Sequence, residues 1–451
     1  MGSRRAHLEK AGVSGVLVIG MLVALGFGSW SSLGVSVAPL SADAARMRNA
    51  EQLTALNISD ATLKRRQFLK RSTTISFTAG TGGTVARWTV SLAEHPSWII
   101  FEPEGPDHIH AMISAERIRS DLLLHPVADL PGATSCRIIR EAKDAQGVVR
   151  AQTDCIASEG YRYDVVSLAV LTKDALESGT ANVSFPVEPV APSILASGQS
   201  GAEIVTTLQL LATGRSNFKG SGEGRKANVR KALNEHVNNV IVPKGATFSF
   251  NSVLGDKVSV SRGWHMALTI FNGVDLKPAP GGGICQASTT LYRAALQAGF
   301  PILAHKSHSL YVVYYEKYGV GLDATVFPGQ QDMTFVNDSS GPLLLQSYNR
   351  GDDAYVQIYG IDDHRAVTMT GPYFASTAPK DLRKDNGHAI ARNEIAWQRT
   401  VVMPTGEQKQ ELFVARYQAI PRSLAGRSPA TTLHVRGLPD IASVVTVAEN
   451  R

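Results

Sequence analysis

Residues 281–298 read Gly281-Gly282-Gly283-Ile284-Cys285-Gln286-Ala287-Ser288-Thr289-Thr290-Leu291-Tyr292-Arg293-Ala294-Ala295-Leu296-Gln297-Ala298. Leu291, Ala294, Ala295 and Ala298 recur at helical spacing, and Gly299 and Pro301 follow as stop signals. A buried helix is therefore predicted to begin directly out of a glycine turn, with Cys285 in its first turn. Unpaired N–H groups and the positive end of the helix dipole at such a start favour an anion, which lowers a thiol pKa and makes the sulfur nucleophilic. The glycines allow backbone or substrate to come close. The competing reading is a small core thiol.

The chain has three cysteines. Strand-like segments Thr134 to Ile139 and Val148 to Ile156 flank the turn Asp144-Ala145-Gln146-Gly147, a hairpin that brings Cys136 near Cys155 and predicts a disulfide between them. In an exported protein Cys285 is then an unpaired thiol, which oxidising surroundings select against unless it has a use. Export is expected from the N-terminus. Arg4, Arg5 and Lys10 precede an apolar run from Val13 to Val37 long enough to span a bilayer, with the bulk of the chain beyond it. A cleaved signal peptide ending at Ala42-Asp43-Ala44 competes with a retained anchor. In both cases the chain from Ala45 onward faces an extracytoplasmic space.

Of 451 residues, 43% are hydrophobic and 19% charged, which is globular material with ample core for more than one domain. The net charge of +6 suits an anionic wall polymer or lipid surface without requiring one. No interleaving of basic and aromatic residues points to nucleic acid. Repeats, heptad runs and phosphate-binding glycine loops are absent from the sequence, so it calls for no cofactor and leaves the oligomeric state open. The predicted class is α+β. Its parts are an anchor or signal segment (1–44), an α+β domain (45–191), a Pro-rich linker (192–200), a mixed α/β domain bearing the chemistry (201–340), a β-rich extension (341–420) and a tail (421–451).

In the first domain, Met47 to Arg71 reads as helix, Thr73 to Thr78 and Val85 to Val90 as strands, and Ala115 to Leu124 as helix. His108 and His110 share a strand face and are too few for a metal site. In the second, Arg225 to Val240 is helical, Ala246 to Asn251 is a strand, and Ser309 to Tyr315 and Ala324 to Phe327 are β-prone. Each of the last two strands follows a candidate partner for the thiol, His305 and His308 before one and Asp323 before the other. A thiol, an imidazole that takes its proton and a carboxylate that fixes the imidazole tautomer form a cysteine acyl-transfer set. Polar strand-edge histidines, or a metal held by Cys285, His305 and His308, are the alternatives. In the extension, Glu394 to Val402 and Gln410 to Ala419 read as strands joined by a turn at Pro404-Thr405-Gly406-Glu407.

An ordered string covers most of Arg225 to Asn337: Phe248-Ser249-Phe250-Asn251, Gly255, Arg262-Gly263, Ala267, Gly281 to Gln286, Ser288 to Tyr292, Ala298-Gly299, His308-Ser309, Val312, Tyr314, Asp323 to Val326 and Asp332 to Asn337. This string resembles the VanW domain, and Thr73 to Pro192 resembles the peptidoglycan-binding module that often precedes it. The resemblance implies an exported, membrane-anchored, wall-associated protein linked by family name to vancomycin-resistance clusters. Some VanW-domain proteins are regarded as L,D-transpeptidases acting on peptidoglycan stem peptides. On that carry-over Cys285 is the nucleophile, His308 the base and Asp323 its orienting group, backbone N–H groups from Gly283 to Gln286 hold the oxyanion, and Gly282, Gly283 and Gln286 are substrate-binding positions. Asn228, Asn251 and His305 are candidate substrate contacts, the two asparagines having helix-surface and turn roles as alternatives. The sequence departs from the family pattern at Ala287, Arg293 and His305. A non-catalytic wall scaffold and a cysteine peptidase or amidase are the rival functions.

Overall fold

The computed structural model describes residues 60–419, apart from 81–82, 104–107, 198–204, 256 and 274. The Val13 to Val37 run, the Ala42 to Ala44 site, most of the Met47 to Arg71 helix and the tail from Pro421 lie outside the described residues. Among the described residues no helix is long and apolar enough to cross a membrane.

The first layer is built on strand Ser72–Ala79, whose alternation buries Thr73, Ile75 and Phe77. It pairs antiparallel with Gly83–Ser91 and parallel with Asn182–Pro186. Helices α1 (Ala115–Leu124) and α2 (Val165–Ser178) join the same core, supplying Ile118, Leu122, Leu168 and Leu176 around Phe77 and Trp98. Each helix starts at a side-chain cap, Ser114 for α1 and Asp164 for α2, and α2 stops at Gly179 with φ of 75°.

A closed seven-stranded barrel follows, and the sequence reading did not anticipate it. In order around the barrel its strands are Ser193–Ser197, Val205–Asn217, Asp353–Gly360, Leu343–Arg350, Val240–Val242, Val149–Thr153 and Cys136–Lys143. Ser193–Ser197 lies inside the predicted linker yet pairs with Val205–Asn217 on one side and with Cys136–Lys143 on the other. The Pro-rich composition suggested a spacer, but only Pro189 and Pro192 flank the strand, leaving its N–H groups free to pair. Cys136 and Cys155 form a disulfide with Cα atoms 5.4 Å apart.

Helix α3 (Glu223–Lys231) continues as a π-helical turn over Ala232–Val237. The predicted strand Ala246 to Asn251 is shorter, Thr247–Ser249, because Ser249 caps the short helix α4 (Phe250–Leu254) by accepting from the Ser252 N–H. Helix α5 (Ile284–Gln297) carries Cys285 and lies against barrel strands Val205–Asn217 and Asp353–Gly360. It comes so near that a Cβ on Gly214 would stand 2.0 Å from the Thr290 carbonyl oxygen. Buried residues therefore ring α5 instead of marking one face. A three-stranded sheet, Ala366–Tyr373, Glu394–Val402 and Gln408–Arg416, closes the other end. Its buried Arg399 donates to the Leu296 and Phe300 carbonyls, satisfying the C-terminal end of α5.

Candidate active site

Gly281 and Gly283 adopt φ of 82° and 115°, which L side chains rarely do, so the turn into α5 requires glycine there. Gly282 is required for space, since a Cβ would sit 2.6 Å from the Ala267 carbonyl oxygen on strand Met266–Phe271. Asn228 of α3 holds the turn from below. Its amide nitrogen donates to the carbonyls of His265 and Gly282, and its oxygen accepts from the His265 N–H. Fully buried and bonded three times to backbone, Asn228 shapes the turn and is not exposed to substrate. In the turn itself, the Ile284 and Gln286 N–H groups are bonded to the Gly281 and Gly283 carbonyls. Among the described residues the Gly283 and Cys285 N–H groups have no partner, so of the predicted oxyanion donors these two remain.

Cys285 is half-buried, and its Sγ lies 3.5 Å from both the N–H and the carbonyl oxygen of Val326. The segment Ala324 to Val326 is therefore no strand. Its backbone is satisfied by α5 side chains, the Ala324 N–H donating to Thr289 Oγ1 and the Val326 N–H to the sulfur. Ser309 to Tyr315 is also not a strand and ends in a 3-10 turn over Val313–Tyr315. Arg293 decides the path beyond that turn. From the middle of α5 its guanidinium donates to the carbonyls of Arg215, Tyr315, Gly319 and Leu322, each at 2.8 Å, and so pins the loop between His308 and Asp323. The β-prone composition was overridden by these tertiary hydrogen bonds.

The two loops bring the predicted partners together. His308 Nδ1 is 2.5 Å from Asp323 Oδ2, the His308 N–H donates to the same oxygen at 2.7 Å, and the imidazole is near enough to Cys285 to lower the thiol pKa. Asp323 Oδ1 accepts from the Tyr417 hydroxyl at 2.8 Å. Burial pushes the Cys285 thiol up, but the hydrogen bond and charge of His308, the Val326 N–H and the charge of Arg225 outweigh it and hold the thiol below its ordinary range. For His308, burial works against the charged form, while Tyr315, Asp323 and Cys285 together raise it well above the usual imidazole value. Burial raises Asp323, and its hydrogen bonds from His308 and Tyr417 bring it below the usual carboxylate value. All three shifts favour the charged forms, a thiolate and an imidazolium backed by a carboxylate.

The remaining candidates sit elsewhere. The His305 ring stacks on Tyr292 at 4.8 Å, and burial lowers its pKa, with Asp323 opposing. It is thus committed to aromatic packing and does not complete a metal set with Cys285 and His308. Asn251 donates to the Gln331 carbonyl and, through its backbone N–H, to Asp332, which ties α4 to the loop before Thr334–Val336. Gln286 is buried and takes a hydrogen bond from Arg225. Among the described residues the only gathering of three potential metal ligands is Cys136, Asp154 and Cys155, whose two sulfurs are in the disulfide.

Sequence reading missed Arg225 and Tyr417. The signal for Arg225 was its place one turn before Asn228, on the same face of a predicted helix. Tyr417 gave none, since it stands 94 residues beyond Asp323.

Residues 224–359, which contain Arg225, Cys285, His308 and Asp323, match the family model described as VanW like protein. This segment is similar to the VanW domain. A relative in Bacillus subtilis (strain 168), named Uncharacterized protein YoaR, is 32% identical over 168 residues, covering 37% of this chain and 54% of the relative. The chain thus spans about half the length of the curated relative it matches. No solved structure matches the chain. Tyr417 lies outside the matched VanW segment, so the site draws one of its supports from the sheet that follows the domain.

Proposed function

We propose that this protein is an exported cell-wall enzyme, a cysteine acyl-transferase of L,D-transpeptidase type acting on peptidoglycan stem peptides. The observation that carries the reading is the half-buried thiol in the first turn of α5, its pKa lowered by an imidazole that Asp323 orients. In the acylation step the Cys285 thiolate attacks the carbonyl carbon of the third stem residue, and the oxyanion that forms faces the Gly283 and Cys285 N–H groups. As the C–N bond to the terminal D-alanine breaks, the His308 imidazolium gives its proton to the leaving amine, and a thioester remains. The amine of a second stem then attacks that thioester while neutral His308 takes a proton from it. The C–S bond breaks, the thiolate and imidazolium are restored, and a cross-link is made. Water in place of the amine gives a carboxypeptidase.

Two features support an extracytoplasmic setting. The Cys136–Cys155 disulfide fits an oxidising compartment, and the run from Val13 to Val37 fits a membrane anchor or a signal segment. The first domain then serves to hold peptidoglycan near the thiol. The deciding experiment incubates the chain and its Cys285→Ala variant with disaccharide tetrapeptide and reads products by mass spectrometry. Loss of D-alanine with dimer or tripeptide, absent in the variant, is expected. Intact substrate with both proteins, alongside retention on sacculi, would replace the enzyme with a wall-binding scaffold.

A further inference from the structure

Arg225 is 8% exposed, and among the described residues no carboxylate lies within ion-pair distance of it. Nη2 donates to Gln286 Oε1 at 2.8 Å, and Nε is buried with no partner. The neighbours that fix the guanidinium are neutral. Gln286 is held in turn by donating to Ser216 Oγ at 3.1 Å, and the Tyr314 ring lies 4.7 Å from Cζ on the guanidinium face. A guanidinium offers five N–H donors, and this one spends one of them on an amide. Beyond its charge interaction with Cys285, this buried cation has no anionic partner, which is costly, and such groups persist where an anion completes them.

The place where that anion would sit is defined. A Cβ built on Gly283 would stand 3.2 Å from Arg225 Nη1 and 3.1 Å from its Cγ, so the guanidinium lies against the backbone two residues before the thiol. The place is also at the positive end of a fourteen-residue helix. Consecutive residues of an extended peptide are about 3.3–3.6 Å apart. An anion held here while a carbonyl stands over Cys285 therefore belongs to the residue next to the scissile bond.

We propose that Arg225 and the first turn of α5 form a subsite for a peptide's terminal α-carboxylate, so that Cys285 acts on the last peptide bond of chains ending in a free acid. This rests on the acyl-transfer reading for the reaction, but the subsite can be tested without it. With Cys136 and Cys155 bonded, alkylation of the full chain reports Cys285 alone. Iodoacetate carries a carboxylate beside its reactive carbon, and iodoacetamide is its neutral counterpart. The ratio of the iodoacetate rate to the iodoacetamide rate should exceed that of a free cysteine peptide by about tenfold, the scale of a charge-assisted contact. In Arg225→Gln the ratio should fall to the free-peptide value, and Arg225→Lys should retain part of the excess.

A wild-type ratio equal to that of free cysteine overturns the proposal, and this outcome needs no variant to fold. Equal slowing of both reagents in Arg225→Gln also overturns it, because Arg225 would then serve only the thiolate. A high ratio with no product from disaccharide tetrapeptide leaves the carboxylate subsite standing and removes the acyl-transfer reading. If product forms, a tetrapeptide with an amidated C-terminus should react more slowly than the free acid, and equal rates would refute the subsite.

Discussion

Cys285 and His308 shift in opposite directions, the thiol downward chiefly through His308 and the imidazole upward through Tyr315, Asp323 and Cys285. The pair is charged from the lowered thiol pKa up to the raised imidazolium pKa. Below that window the sulfur is protonated, and above it the imidazolium that must protonate the leaving amine is lost, so turnover should fall on both sides. Alkylation depends on the thiolate alone and should reach half its maximum below pH ~8.5, the ordinary value for a free cysteine. In His308→Ala the burial that raises the thiol is less opposed, and the alkylation midpoint should move to higher pH, slowing the reaction at pH 7 by about tenfold per unit moved. A midpoint unchanged in that variant would remove His308 as the partner. Asn228 acts on stability instead. Replacing it by Ala strands the buried Gly282 carbonyl, with a cost on the order of 1–3 kcal/mol for the unsatisfied group, which chemical denaturation would read.

At the scale of elements, the turn and α5 are one device. Gly282→Ala places a methyl group against the backbone of Met266–Phe271, at 2.7 Å from the Ala267 carbonyl carbon, where no side-chain rotation relieves it. Overpacking of this kind costs about 1–3 kcal/mol, and here the displacement falls on the residues that aim Cys285. The expected result is slower alkylation at neutral pH together with a lower denaturation midpoint. Normal alkylation in a folded Gly282→Ala protein would show that the turn does not set the thiol's position. Elements whose pattern was local were legible from sequence: Ala115–Leu124 was read to the residue, and the hairpin of Glu394–Val402 and Gln408–Arg416 was read with its turn. Ser309 to Tyr315 and Ala324 to Phe327 were not, because Arg293 and the α5 hydroxyl and thiol groups supply the partners that a neighbouring strand would otherwise give.

Across the whole molecule, two distant parts of the chain converge on the site. The matched VanW segment supplies Cys285, His308 and Asp323, while the terminal sheet supplies Arg399 at one end of α5 and Tyr417 on Asp323. Tyr417 is a positioning residue, and the Gln418 N–H bonds to the Ser309 carbonyl beside it, closing the sheet onto the His308 loop. Tyr417→Phe removes one hydrogen bond to a buried carboxylate, a loss of about 1.5–3 kcal/mol in stability. It should also slow Cys285 alkylation at neutral pH while leaving the rate well above the thiol range unchanged. Wild-type alkylation at both pH values would leave Tyr417 a purely structural residue. At the far side the disulfide closes a span of 19 residues within the barrel, and its reduction should cost about 3 kcal/mol by the loop-entropy relation.

The sequence by itself determined the local pieces: the glycine turn, the helix that begins at Cys285, the Cys136 hairpin, and the identity of the thiol, imidazole and carboxylate. These are encoded in periodicity, turn chemistry and residue type, all of which act over a few neighbours. The tertiary structure alone decided that Ser193–Ser197 is a barrel strand, that Asn228 and His305 are absorbed by packing, and that Arg225 and Tyr417 stand at the site. Each of these depends on which distant backbone group or ring satisfies a buried polar atom. That pairing is settled only when the barrel closes and α5 is buried on all sides.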